Sequence, residues 1–371
     1  MNKVNQLINN LREPSQPIRL AAVGDLLLTT KPGAKTPGRG LEVLSKEIRN
    51  LFKSCDIVLA NLECILPGSK MVATEPRVFT TETQVRTLKD AGINLVTLGN
   101  NHTFDSFDEG FQHMIDILSA LDIQWCGAGF NRNQACKPII IKIAGVSVAI
   151  LGVVDASSGM NRFAEKSTSG VAPLEIDQLC RQISTLRTQV DHIIITPHWG
   201  DERFRFPAPQ HIKQAHALVD AGASLILGHH PHVLQGMENY QEATIAYSLG
   251  NFFANHVYWD SGDFLTWNRF ERTGCIILCK LDKNGIHNLQ QIPVFDDGTT
   301  IRIEKSGWGD RCLQNVNHLL KKGVTSSRYQ RETFRVRTLK PILSHLRWAK
   351  LRRTRPGHLR KIIRLFHQGI K

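Results

Sequence analysis

The chain has 371 residues, of which 42% are hydrophobic and 21% charged, so it can bury a full α/β core and is too apolar to be disordered. Its first twenty residues, MNKVNQLINNLREPSQPIRL, lack the apolar run of a signal peptide, and no stretch elsewhere is long enough to span a bilayer. The net charge of +13 is a property of the C-terminus. Residues 321–371 hold sixteen Lys and Arg against one acid, Glu332, a surplus of fifteen that leaves the other 320 residues near −2.

Short β-rich runs alternate with helix-length segments through the first 280 residues. In chain order the strands are IRLAAVGD, DIVLANLE, INLVTLGN, KPIIIKIAGVSVAILGVVD, DHIIITPHWG, ASLILGHH, ATIAYSLGN and GCIILCKL. Between them LEVLSKEIRNLF, FDEGFQHMIDILSAL, LEIDQLCRQISTLRT and APQHIKQAHALVDAG carry apolar residues at spacings of three and four, the helical period. KPIIIKIAG and VSVAILGVV, joined at a glycine turn, predict an antiparallel hairpin and hence a mixed sheet. The pattern predicts an α/β sheet-and-helix sandwich. An N-terminal arm (1–17), a main domain (18–300) and a basic helical tail (301–371) are the expected divisions. Loops at 29–40, 155–172 and 252–272 follow strands, where α/β proteins place ligand contacts.

The eight cysteines are scattered, with no CxxC pair, and most lie in apolar runs. They are expected to be free thiols in a reducing compartment.

Polar residues follow strands at five points: Gly24-Asp25, Asn61 to Glu63, Gly99 to Asp105, His198 to Glu202 and Gly228 to His232. A GD pair is an ordinary turn and NLE an ordinary helix cap. GHHPH is different, since three histidines in four residues serve no packing purpose. Gathered at one rim, the five supply carboxylates, an amide and imidazoles, a ligand set for one or two divalent ions such as manganese, iron, cobalt or zinc. Two such ions need one carboxylate between them, and a histidine outside their shells can act as general acid.

The series GD, NLE, GNNHxxD, HWGxE, GHHPHV and SLGNF resembles the CapA family of capsule and poly-γ-glutamate synthesis proteins, within the calcineurin-like metallophosphoesterase superfamily. The resemblance runs from about Ile18 to Phe253 and implies a four-layer α/β/β/α sandwich. It further implies Asp25, Glu63, Asn101, His198, His230 and His232 as metal ligands, with Glu63 bridging, and His102 as catalytic acid supported by Asp105. Two positions depart from the superfamily pattern. Leu27 stands where its Asp-x-His motif has histidine, which removes one ligand from one ion, and Glu63 replaces an aspartate.

Arg77, Phe79, Glu202, His229, Ser248 and Asn251 are the expected substrate contacts, and Arg203 and Arg205 are further candidates for an anion. Trp199, Tyr247 and Phe252 read as core. The resemblance implies a phosphorylated or polyanionic substrate in exopolymer synthesis. The alternatives are a general phosphodiesterase or nucleotidase, and a non-catalytic protein that binds anionic polymer. In GHLRKIIRLFHQ, Leu359, Ile362, Ile363 and Phe366 share one helical face, with Arg360, Lys361 and Arg364 largely off it. Such a helix suits an anionic membrane surface and so a peripheral cytoplasmic location, docking on the main domain being the rival reading and nucleic acid the weakest.

Overall fold

The computed structural model describes residues 16–159 and 162–346. In chain order the elements are β1 (Ile18–Leu27), α1 (Lys46–Lys53), β2 (Ile57–Leu62), α2 (Glu82–Ala91), β3 (Leu95–Thr97), α3 (Phe107–Ala120), β4 (Gln124–Cys126), β5 (Ile139–Ile143) and β6 (Val146–Val154). They continue with α4 (Ile176–Leu186), β7 (His192–His198), α5 (Pro209–Asp220), β8 (Leu225–Leu227), β9 (Met237–Tyr240), β10 (Ala243–Ala246) and β11 (Asn251–Ala254). The last are β12 (Thr273–Asp282), β13 (Gly285–Asp296), β14 (Ile301–Ile303), α6 (Trp308–Lys321) and α7 (Ser326–Phe334). Two further two-stranded ribbons lie in the loops.

Two mixed sheets carry the fold. The first has the order β14-β13-β12-β1-β2-β3-β4, with β11 also paired to β1; the second has the order β9-β10-β8-β7-β6-β5. The hairpin expected from KPIIIKIAG and VSVAILGVV is β5–β6, antiparallel from Ile139↔Ile150 to Ile143↔Val146. One buried apolar cluster joins the sheets, with Leu20, Leu59 and Ile277 from the first against Val148, Ile194 and Leu225 from the second. A second cluster packs α1, α2 and α3 on the outer face of the first sheet, and a third packs α4 and α5 on the outer face of the second. Trp199, Tyr247 and Phe252 are fully buried in these clusters.

Local chemistry sets the helix ends. Thr81 and Gln84 form a capping box at the start of α2, the Thr81 hydroxyl accepting from Gln84 N at 3.3 Å, and Gly92 closes the helix with φ 92°. Pro209 opens α5, where its missing N–H costs nothing.

The expected break at residue 300 falls inside the first sheet. Asp297 accepts from the backbone N–H groups of Thr299 and Thr300, and the chain turns back so that Ile301–Ile303 pairs with β13. All eight cysteines are free, and Cys64, Cys126, Cys275 and Cys279 are buried. Among the described residues no helix is long and apolar enough to cross a membrane. The amphipathic segment expected at 359–366 lies outside the described residues.

β1 changes neighbour part-way along. Ile18 to Val23 pair with β12, whereas Asp25 to Leu27 pair with β11. Gly24 sits at the switch, where a Cβ would lie 1.8 Å from the Gly250 carbonyl oxygen, so only glycine allows Asp25 N–H to donate to that oxygen at 3.0 Å.

Candidate metal centre

Asp25 near the end of β1, Glu63 just past β2, Asn101 and His102 past β3, His198 ending β7 and His229 to His232 past β8 all stand at the carboxyl ends of parallel strands. This is the rim where open α/β sheets gather ligands. Two groups of ligand atoms result, each with its members within 4.8 Å of one another: Glu63, His198 and His230 in one, Asp25, Glu63 and His232 in the other. Glu63 belongs to both.

In the first group, His198 Nε2 lies 2.7 Å from Asn101 Oδ1, 3.1 Å from His230 Nδ1 and 3.8 Å from Glu63 Oε1. Burial, together with the neighbouring His230, keeps the His198 imidazole well below its usual range. Burial also brings His230 down to about 4, against the pull of Glu202 and Asp25. Both rings are therefore neutral near pH 7, with lone pairs available. In the second group, His232 Nδ1 lies 3.2 Å from Asp25 Oδ2, and its Nε2 lies 3.6 Å from Glu63 Oε1. Burial lowers His232, but Glu63 and Asp25 outweigh it and raise it to about 10. Burial lifts the Glu63 carboxyl to about 8 despite His232.

This arrangement is costly without a cation. Glu63 Oε1 is buried with no hydrogen-bond partner, and ring-nitrogen and oxygen atoms of Asn101, His198, His230 and Glu63 crowd together around it. The backbone is also held in an unfavoured region at both residues of the His-x-His pair, with φ 94° at His230 and 56° at His232. Oxygen and imidazole donors converging on one buried point fit a divalent metal.

His102 stands beside the two groups. Its Nδ1 meets Asp105 Oδ2 at 2.7 Å, and that oxygen also accepts from Val78 N at 2.8 Å. Burial lowers His102, but the charge and hydrogen bond of Asp105 outweigh it and leave the imidazole raised. Glu202 is exposed at the mouth. Desolvation raises its carboxyl, yet the fields of His232, His230 and Arg203 pull it below the usual range.

The other expected contacts are placed differently. Ser248 is buried and donates to Val233 O at 2.8 Å, so its hydroxyl is spent on the backbone. Asn251 is buried as well, its Oδ1 2.9 Å from His232 Nδ1 and its Nδ2 donating to Glu271 O, so it orients a ring rather than facing a ligand. His229 is sealed at 1% exposure, its Nδ1 3.3 Å from Asp25 Oδ1 and both ring nitrogens without a hydrogen bond. Phe79 packs on the outer core of the first sheet. Arg77 is committed to an ion pair with Asp260 and to Val72 O.

Two residues named only as parts of their motifs have roles of their own. Asn61 Nδ2 donates to Asp25 Oδ1 at 2.8 Å and reaches Glu63 Oε2 at 3.3 Å; Asn100 Nδ2 in turn donates to Asn61 Oδ1 at 3.1 Å. The signal was an asparagine within the apolar run IVLANL, because a buried amide must find partners.

Residues 19–256 match the family described as bacterial capsule synthesis protein PGA_cap. The chain belongs to that family. Among PGA_cap relatives, the PGA biosynthesis protein CapA of Bacillus subtilis is 30% identical over 296 residues, covering 78% of this chain and 75% of that protein. The capsule biosynthesis protein CapA of Bacillus anthracis is 29% identical over 289 residues, covering 76% and 68%. Among solved structures, the NAD nucleotidase of Haemophilus influenzae aligns with TM-score 0.46 and 14% identity, over 87% of this chain and 61% of that one. That likeness is one of outline only, and the PGA_cap fold described above stands on its own strand order.

Proposed function

We propose that this protein is a metal-dependent phosphoesterase-type member of PGA_cap that acts on a phosphorylated or polyanionic substrate in the synthesis of a capsule or poly-γ-glutamate-like polymer. The observation that carries the reading is Glu63, whose carboxylate is common to two three-residue ligand groups. One carboxylate held between two clusters of imidazole, amide and carboxylate donors is what a pair of divalent ions requires. Asp25 and His232 serve one position; Asn101, His198 and His230 serve the other. Manganese, iron, cobalt and zinc all suit this donor set. Ions bound there supply Lewis acidity toward a phosphoryl oxygen and an activated water.

The rest of the chemistry belongs to the side chains. Asp105 takes the Nδ1 side of His102 and favours the protonated ring, which leaves Nε2 to give its proton to a departing oxygen. Asn61 and Asn100 hold Asp25 and Glu63 at fixed separation. To the tail we assign peripheral attachment to an anionic membrane surface, on the charge of residues 347–371 and the apolar face at 359–366.

Metal analysis of the purified full chain, paired with turnover of bis-p-nitrophenyl phosphate, tests the reading. Bound divalent metal and turnover lost on chelation are expected. Protein that takes up no divalent ion at neutral pH would overturn it.

A further inference from the structure

Beside the metal centre lies a cavity of about 570 Å³, within the range that takes an organic ligand of moderate size. Arg203, Arg205, Arg269, Arg335 and Lys340 all line it. They come from three separate parts of the chain, namely the loop after β7, the turn before β12 and the segment after α7. Two acids face them. Glu332 takes Arg205 and Arg335, and Glu271 Oε1 lies 2.8 Å from Arg203 Nε, a buried donor that makes no aligned hydrogen bond.

That leaves five cations against two acids. Among the described residues neither Arg269 nor Lys340 has an acidic partner. Arg269 lies instead over the Trp308 ring, 4.1 Å from its centroid, which fixes the guanidinium without neutralising it. Burial and the charge of Arg335 lower Lys340, against Glu271 and Glu332. Like charges gathered around a cavity repel one another, and an anion between them relieves that repulsion. The remaining wall is mixed: Val233, Leu234, Val316 and the half-exposed Phe270 give it an apolar part, and Asn268, Thr273 and Asn315 a polar one.

We propose that this cavity is an anion-binding site, separate from the metal centre, for a small organic ligand carrying two or more carboxylate or phosphate groups about a short apolar part. Arginine forks recognise both kinds of group, and the apolar part of the wall takes the linker. The site reaches the metal centre through protein. Arg203 contacts Glu271, the Glu271 carbonyl accepts from Asn251, and Asn251 Oδ1 holds His232.

The test is calorimetric titration of the full-length protein with 1,2,3-propanetricarboxylate and with methylenebisphosphonate, which separates carboxylate from phosphate chemistry. Saturable binding of at least one probe is expected, weakened tenfold or more in Arg269→Gln/Lys340→Gln. Asn315→Trp, on the exposed side of α6, fills the cavity without changing charge and should do the same. His232→Ala, which disables the metal centre, should still bind, so failure of the metal reading leaves this one standing. The exposed pair Lys46→Gln/Lys166→Gln is the control for net charge. Saturable binding by neither probe, unchanged affinity in Arg269→Gln/Lys340→Gln, or an equal loss in the control pair would each overturn the proposal.

Discussion

Glu332 on α7 accepts two hydrogen bonds from the Arg205 guanidinium, Nε to Oε1 and Nη2 to Oε2, each 3.1 Å long, across 127 positions of sequence. The same carboxylate takes Arg335, and nearby Tyr329 and Arg337 both reach Asp201. The segment 326–343 is thus clamped to the loop that follows His198. Burial raises the Glu332 carboxyl, but Arg335 and Arg205 outweigh it and bring it down to about 2. Because the folded value lies below the unfolded one, this clamp is fully present above about pH 4.5 and is lost as pH falls toward 2. Thermal melts between pH 2 and 6 should show a steep acid limb in the native protein. Glu332→Gln should flatten that limb and melt several degrees lower at pH 7; identical acid limbs would contradict the assignment.

The two roles given to histidine separate by metal content. His232→Ala should strip at least one ion, because Asp25 and Glu63 then lack their imidazole partner. His102→Ala should keep metal yet lose turnover by roughly 10²–10⁴, the range for removal of a general acid. Elemental analysis of both variants decides between them, and metal loss in His102→Ala as complete as in His232→Ala would refute the division.

Gly24→Ala tests the close approach of β1 to the 249–251 segment. A methyl group 1.8 Å from Gly250 O forces the strands apart and moves Asp25, whose neighbours Asn251 and His232 stand on the other side. Overpacking of this kind costs about 1–3 kcal/mol. Both melting temperature and metal content should fall. A variant that loses stability but binds metal as tightly as the native protein would show that Asp25 is dispensable as a ligand.

Residues 335–343 pack against the body, Thr338 and Ile342 being buried, so a membrane role must be sought further on. Truncation after Leu346 should leave the melting temperature near its native value and abolish sedimentation with anionic vesicles, while salt should weaken binding of the full chain. Equal binding by the truncated protein would end the membrane assignment.

Much of the site was legible because the residues that serve it sit at strand ends, where an apolar run stops on a polar cluster. GHHPH and GNNH could be read for that reason alone. What stayed hidden was the role of each rim residue, which depends on direction rather than identity. Ser248 and Asn251 face inward to a carbonyl and a ring, and Arg205 turns to Glu332. Sequence spacing carries no such information across 127 residues. The boundary at 300 was missed for a similar reason, since a turn of four residues between β13 and β14 is too short to break an apolar pattern. In the tail, the lone acid Glu332 among sixteen cations was the one available hint of docking.

The change of neighbour along β1 also bears on when the molecule can be assembled. The partners of its two halves, 273–282 and 251–254, are made more than two hundred residues after β1 itself leaves the ribosome. Pairing over such separations is slow, because the intervening chain must close before any contact is gained. A nascent chain that ends before Gly250 has Asp25 and Glu63 but lacks β11 and β12 to complete their sheet. The ligand cluster is therefore a late product of synthesis, and fragments released early will expose the apolar edge of β1 to neighbouring chains.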